Sequence, residues 1–198
     1  MEEFNQSLFL LINASTHPNP LTLNVAMFFA EILIYLIPVS LLAGWLRGSD
    51  DTRKLMLEAV MAGIIGLSAS MLIGVLWQHP RPFAIGLGTN FLAHGPDSSF
   101  PSDHLTLQWS VAFSFLLHKR LRATGVAYAL LGLPMAWSRM YLGVHYPFDM
   151  AGAAMVSAVS AILCHRCAPW FMPPLFRCAS GIYGYLFAPL IRRGWMTK

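Results

Sequence analysis

Long apolar runs separated by short clusters of positive charge constrain this chain more than any other feature. Crossing a hydrocarbon layer about 30 Å thick takes about 20 apolar residues in a helix, because each residue advances only about 1.5 Å. Residues 21 to 46, 57 to 77, 105 to 118 (extended by its flanks), 123 to 141 and 148 to 165 read as such spans. Each is bounded by charges, prolines or polar loop residues. Only 11% of the 198 residues are charged, against about 25% in an ordinary water-soluble domain, and 56% are hydrophobic. This excludes a free cytosolic enzyme and a disordered tail. The net charge of +4 is no nucleic-acid footprint, because the Lys and Arg residues sit between the apolar runs. The expected fold is all-α: one polytopic membrane helix bundle over residues 1–198, with five or six transmembrane helices.

Both ends of the chain are read separately. Glu2 and Glu3 stand where a cleavable signal would carry basic residues, so none is expected. Phe4, Leu8, Phe9, Leu11 and Ile12 recur near helical spacing, making the 1–20 segment an amphipathic one. The 168–198 segment is apolar enough for a sixth span, but Pro169, Pro173, Pro174, Arg177 and Pro189 argue for an interfacial or re-entrant path. With five spans, Arg47, Arg53 and Lys54, then Lys119, Arg120 and Arg122, then Arg166, Arg177, Arg192, Arg193 and Lys198 all fall on one side. The positive-inside rule makes that side cytoplasmic and leaves only Arg81 and Arg139 for the opposite, outer face.

Nearly all the polar residues suited to chemistry lie in three segments at that outer face. They are His79-Pro80-Arg81-Pro82, Phe100-Pro101-Ser102-Asp103-His104, and the run from Ser138 to Asp149. Arg81 and Arg139 offer planar forks for a phosphate, and Ser102 adds a hydroxyl beside a helix start whose N–H groups also favour an anion. His145 and Asp149 are four residues apart, so one helical turn lets the carboxylate orient the imidazole, with Pro147 tolerated in the first turn. On this reading His145 attacks phosphorus and His104 protonates the leaving oxygen.

These residues carry a resemblance to the type 2 phosphatidic acid phosphatase superfamily, whose pattern is Lys-x6-Arg-Pro, Pro-Ser-Gly-His and Ser-Arg-x5-His-x3-Asp. The resemblance spans residues 74 to 149 and implies a metal-independent lipid phosphatase with a phosphohistidine intermediate. Carried over, the nucleophile is His145, its orienting carboxylate Asp149, the general acid His104, and the phosphate binders Arg81, Ser102 and Arg139. Two departures stand out. Gly74 occupies the family's Lys position, with His79 or Gln78 as substitutes, and Asp103 replaces a Gly, where it could meet an Arg or a proton. The Pro-Ser-Asp-His variant is similar to that of bacterial undecaprenyl-diphosphatases of the bacitracin-resistance type, which implies a polyprenyl diphosphate as substrate. Phosphatidylglycerol phosphate and phosphatidate are the alternative substrates, and a transporter of phosphorylated lipid the non-enzymatic alternative.

Other residues read more plainly. Ser138 and His79 are possible further contacts, and His94 reads as an exposed loop residue. Glu31, inside the first span, stays outside the site. Cys164-His165-Arg166-Cys167 with Cys178 mimics a zinc pattern, but reduced thiols are the default at a cytoplasmic helix end, so neither metal nor cofactor is expected.

Overall fold

The computed structural model describes residues 1–189 and 193. Among these there is no β-strand. Seven α-helices follow one another: α1 (Glu2–Ile12), α2 (Pro20–Met27), α3 (Leu36–Arg47), α4 (Asp50–Leu76), α5 (Asp103–Leu116), α6 (Arg122–Tyr141) and α7 (Pro147–Leu186). A π-turn over Phe28–Ile32 and a 3₁₀ turn over Leu33–Tyr35 join α2 to α3 without a break, giving one helical rod over Pro20–Arg47.

That rod, α4 and α7 are each long and apolar enough to cross a membrane. Their outward residues fit such a setting, with Leu72, Val75, Met155 and Val159 exposed along the helix sides. The expected third span differs. α5 has only 14 residues, about 21 Å of helix, and nine of them are buried between α4, α6 and α7. It is the central post of the bundle rather than a lipid-facing span. This explains why Thr106, Gln108, Ser110 and Ser114 interrupt its hydropathy. Lipid tails are as apolar as leucine, so close packing and hydrogen bonds must hold such helices together. Gln108 Nε2 donates to the Tyr128 carbonyl at 2.9 Å and Trp109 Nε1 to the Ala129 carbonyl at 3.1 Å, tying α5 to α6. Gly132 lets the Trp109 indole lie directly on the α6 backbone, where a Cβ would collide with it.

The C-terminal segment corrects the sequence reading. α7 runs unbroken for 40 residues, about 60 Å, through Pro169, Pro173 and Pro174, so residues up to Leu186 form neither a re-entrant nor a separate interfacial segment. Pro169 and Pro173 are four residues apart on one helix face, so their missing N–H bonds fall on the same side, where a helix can bend without ending. Arg177 Nε also donates to the Pro173 carbonyl at 3.3 Å. Arg192 and Lys198 of the C-terminal positive cluster lie outside the described residues.

The amphipathic segment is helical as expected and lies against the functional end of the bundle. Its polar side carries Asn5, 2% exposed, whose Oδ1 accepts from the Phe148 N–H at the start of α7. Phe9 packs edge-on against Tyr146, while Phe4 and Leu11 stay exposed. After the helix, Asn13 pins two distant loops. Its amide donates to the carbonyls of Thr89 and Tyr141, and its Oδ1 accepts from the Thr89 N–H. Gly143 makes the following turn possible. Its φ of 89° is a region that side chains strain to enter, and a Cβ would run into the Thr89 carbonyl.

Candidate active site

The three motifs meet at one end of the bundle. Arg81 ends the loop after α4, Ser102 caps α5, Arg139 lies in the last turn of α6, and His145 and Asp149 flank the start of α7. Pro147 occupies the first turn of α7, where its missing N–H costs no hydrogen bond. Asp149, three residues past the cap, accepts from the Tyr146 N–H at 2.8 Å and so closes the helix start.

The same oxygen, Oδ2, lies 3.1 Å from His145 Nδ1. Both side chains are at most 2% exposed. With the proton on Nδ1 and directed at Asp149, Nε2 is left with a lone pair, and Nη1 of Arg81 donates to it at 3.1 Å. His145 stands in the loop between α6 and α7. Burial first, then the charges of Arg139 and Arg81, holds its ring well below the ordinary 6.5. The neutral, nucleophilic form is therefore the resident one.

Arg81 is held from two further sides. Its Nε donates to Asp97 Oδ1 at 2.9 Å and its Nη1 to the Val144 carbonyl at 3.0 Å. Burial works to raise the Asp97 carboxyl, but the hydrogen bond and charge of Arg81 outweigh it and keep the group below its usual range. Arg139 is the opposite case. It is 2% exposed, its Nη1 reaches only the Ala30 carbonyl at 3.5 Å, and its Nε and Nη2 have no partner. The Ala30 carbonyl belongs to the π-turn, a distortion common at functional sites, and Glu31 in the same turn lies within electrostatic reach of Arg139. Ser102 Oγ is fully buried and also unpartnered. Buried donors without partners are costly; among these, Arg139 bears electrostatically on His145, and the Ser102 N–H meets the Asp149 carbonyl at 3.5 Å.

His104, in the first turn of α5, interacts electrostatically with Arg139, His94 and Arg81. Burial and then the charge of Arg139 oppose protonation of its ring, and an anion beside the guanidinium groups would offset the second of these.

Ser138, His79 and Asp103 have different surroundings. Ser138 donates to the Met135 carbonyl at 2.7 Å, so its hydroxyl serves its own helix rather than the pocket. His79 meets Glu2 of α1 at 3.2 Å and stacks edge-on with Trp77 and Tyr146. Asp103 has no hydrogen bond to an Arg but lies within electrostatic reach of Arg139. It accepts from Ser70 Oγ at 2.6 Å, because α5 packs on α4 at that level. Both line a cavity of about 630 Å³ with Gly74, Gln78 and Asp97. Gly74 faces the Ser98 side chain, which a Cβ there would meet at 3.3 Å.

Sequence reasoning missed three residues. Ser99, fully buried, donates to Asp149 Oδ2 at 2.5 Å and lies 3.4 Å from His145 Nδ1. Asp97 anchors Arg81. His94, expected in an exposed loop, has its ring 6.4 Å from that of His145. All three belong to the stretch after Arg81, and only its Gly, Pro and Ser content marked it as a loop; nothing local pointed inward.

The PAP2 superfamily model matches residues 54–173. The chain belongs to the PAP2 superfamily. YbjG of Escherichia coli is 36% identical over 99% of this chain and 98% of its own. Undecaprenyl-diphosphatase BcrC of Bacillus subtilis is 32% identical over 85% of this chain and 86% of its own. Aquifex aeolicus LpxE shares the fold, with a TM-score of 0.64 at 22% identity over 82% of this chain and 95% of that one. The matched PAP2 region contains every residue of the pocket described above except the Ala30 and Glu31 side of the π-turn.

Proposed function

We propose that this protein is an undecaprenyl diphosphate phosphatase, releasing inorganic phosphate and undecaprenyl phosphate through a phosphohistidine at His145. It would thereby recycle a cell-wall carrier lipid and confer bacitracin resistance. The observation that carries the reading is the buried His145–Asp149 pair, with Arg81 on His145 Nε2 and the charge of the incompletely hydrogen-bonded Arg139 bearing on the same ring. PAP2 membership and relatives such as BcrC support the substrate class.

The steps follow from the geometry. Arg81, Arg139 and Ser102 bind the terminal phosphoryl oxygens and stabilise the charge that develops on them. His145 Nε2 attacks phosphorus and becomes cationic, with Asp149 stabilising that charge through Nδ1–H. His104, protonated once the diphosphate neutralises the guanidinium charge, gives its proton to the departing lipid phosphate. It then takes a proton from the water that hydrolyses the phosphohistidine. Ser99 keeps Asp149 in register, and Asp97 does the same for Arg81. The positive-inside rule, applied to the Lys and Arg clusters of the other loops, supports an outward-facing site, where a spent carrier lipid presents its head.

The test is phosphate release by the purified chain in detergent with EDTA, comparing undecaprenyl diphosphate, phosphatidylglycerol phosphate and phosphatidate. The expected result is undiminished release with the prenyl diphosphate turned over fastest. Loss of activity with EDTA, restored by a divalent ion, counts against a histidine-only mechanism, and preference for a glycerophospholipid moves the substrate.

Two further outcomes are expected. Asp97→Asn removes the charge that fixes Arg81 and should raise KM by roughly tenfold, about 1.4 kcal/mol, with a smaller change in kcat. An unchanged KM would leave Asp97 without a positioning role. The depressed titration of His145 predicts that its ring stays neutral as the pH falls through 6.5, which NMR of the labelled imidazole checks. The same depression has a stability sign. An unfolded chain takes up the proton near 6.5 and the folded one resists it, so this residue costs no stability above 6.5 and an increasing amount below it.

A further inference from the structure

Three helices bring a second set of polar groups together at the end of the bundle away from His145. Glu58 lies two turns into α4, His118 just past the end of α5, and His165 on α7, about 27 Å along that helix from its start. His118 Nε2 and His165 Nδ1 each stand 2.9 Å from the same oxygen, Oε1 of Glu58. One ligand atom from each residue lies within 4.8 Å of the other two, and the imidazole rings meet edge to face at 5.0 Å. The Glu58 side chain is 7% exposed, that of His118 17% and that of His165 42%. None of these residues has a part in the phosphate pocket.

Two imidazole nitrogens and one carboxylate oxygen form a donor set suited to zinc and neighbouring divalent ions. Around a tetrahedral ion with bonds of about 2.0–2.1 Å, adjacent donor atoms stand about 3.3 Å apart. The observed 2.9 Å separations therefore become ligand separations with a shift of about half an ångström. Helix packing already sets the three backbones, so little ordering remains to be done on binding. A cavity of about 650 Å³ lined by Lys54, Glu58, His165, Met172 and Phe176 opens beside the trio, offering an approach and room for a water ligand. Cys164 is excluded as a fourth ligand, because it is buried with its Sγ directed at the Glu58 backbone carbonyl at 3.4 Å.

We propose that Glu58, His118 and His165 form a binding site for a divalent transition-metal ion of the zinc class, clamping α4, α5 and α7 at the end remote from the chemistry. The site is independent of phosphoryl transfer and is consistent with turnover in EDTA.

The experiment uses the full chain, purified in detergent without a polyhistidine tag and stripped with EDTA before the chelator is removed. Zn²⁺ is titrated by calorimetry, and Co²⁺ is added as a spectroscopic probe. The expected result is one Zn²⁺ per chain, a rise in melting temperature with Zn²⁺, and a visible cobalt spectrum of nitrogen and oxygen ligation lacking thiolate bands. His165→Ala and Glu58→Gln should each weaken binding by at least ~100-fold, while the Cys167→Ser, Cys178→Ser double variant binds as the parent does. His165 is the most exposed of the three, so its variant keeps the test readable if Glu58→Gln fails to fold. No stoichiometric binding, binding unchanged in His165→Ala, or binding lost with the two cysteines would each overturn the proposal.

Discussion

His145→Ala is expected to reduce phosphate release by about 10⁴-fold or more while leaving the melting temperature nearly unchanged. The activity loss follows because the proposed mechanism forms its intermediate on His145 alone. The stability result follows from the hydrogen bonds. Asp149 keeps Ser99 and the Tyr146 N–H, and Arg81 keeps Asp97 and the Val144 carbonyl. Quenching a reaction with labelled substrate should trap an alkali-stable, acid-labile phosphoprotein in the parent and none in this variant. His104→Ala provides the contrast. It should form the intermediate from an aryl phosphate, whose leaving group needs no proton, and fail with the lipid diphosphate. A trapped phosphoprotein in His145→Ala would place the nucleophile elsewhere.

Arg139→Met is expected to move stability and activity in opposite directions. The guanidinium is buried with two nitrogens lacking partners, and methionine matches its length without its charge. Arg139 has a single long hydrogen bond and feels the charges of Glu31, Asp103 and Asp97 only at a distance, so replacing it by an apolar side chain is expected to gain about 1 kcal/mol, a rise of a few degrees in melting temperature. Turnover should fall by about 10²–10³-fold, the scale for losing one donor to a transition-state oxyanion. Inorganic phosphate, as product, should stabilise the parent against heat and have little effect on the variant. A less stable Arg139→Met would mean that the guanidinium is satisfied in the folded protein without an anion.

The residues at the heart of this site were legible because their chemistry is local. The four-residue step from His145 to Asp149 is one helical turn, and the Pro147 between them marks where that turn begins. The supporting residues were not legible, because their partners are fixed by loop closure over long stretches of chain. Ser99 reaches Asp149 across 50 residues and Asn5 reaches Phe148 across 143. The fold shows the same division. Long apolar helices such as α4 were readable from composition, whereas α5 was too polar and too short to read as what it is, a largely buried post between α4, α6 and α7. α7 misled in the other direction, since three prolines signal an ending that their placement on the helix does not produce.

Asp149 has two employments in this structure, holding the nucleophile's imidazole and closing the first turn of the longest helix. A random library sorted only for heat resistance, with no substrate present, would therefore retain this carboxylate as firmly as one sorted for growth. Retention of Asp149 in such a screen says nothing about chemistry, whereas Arg139, which the same screen should discard, reports on it directly.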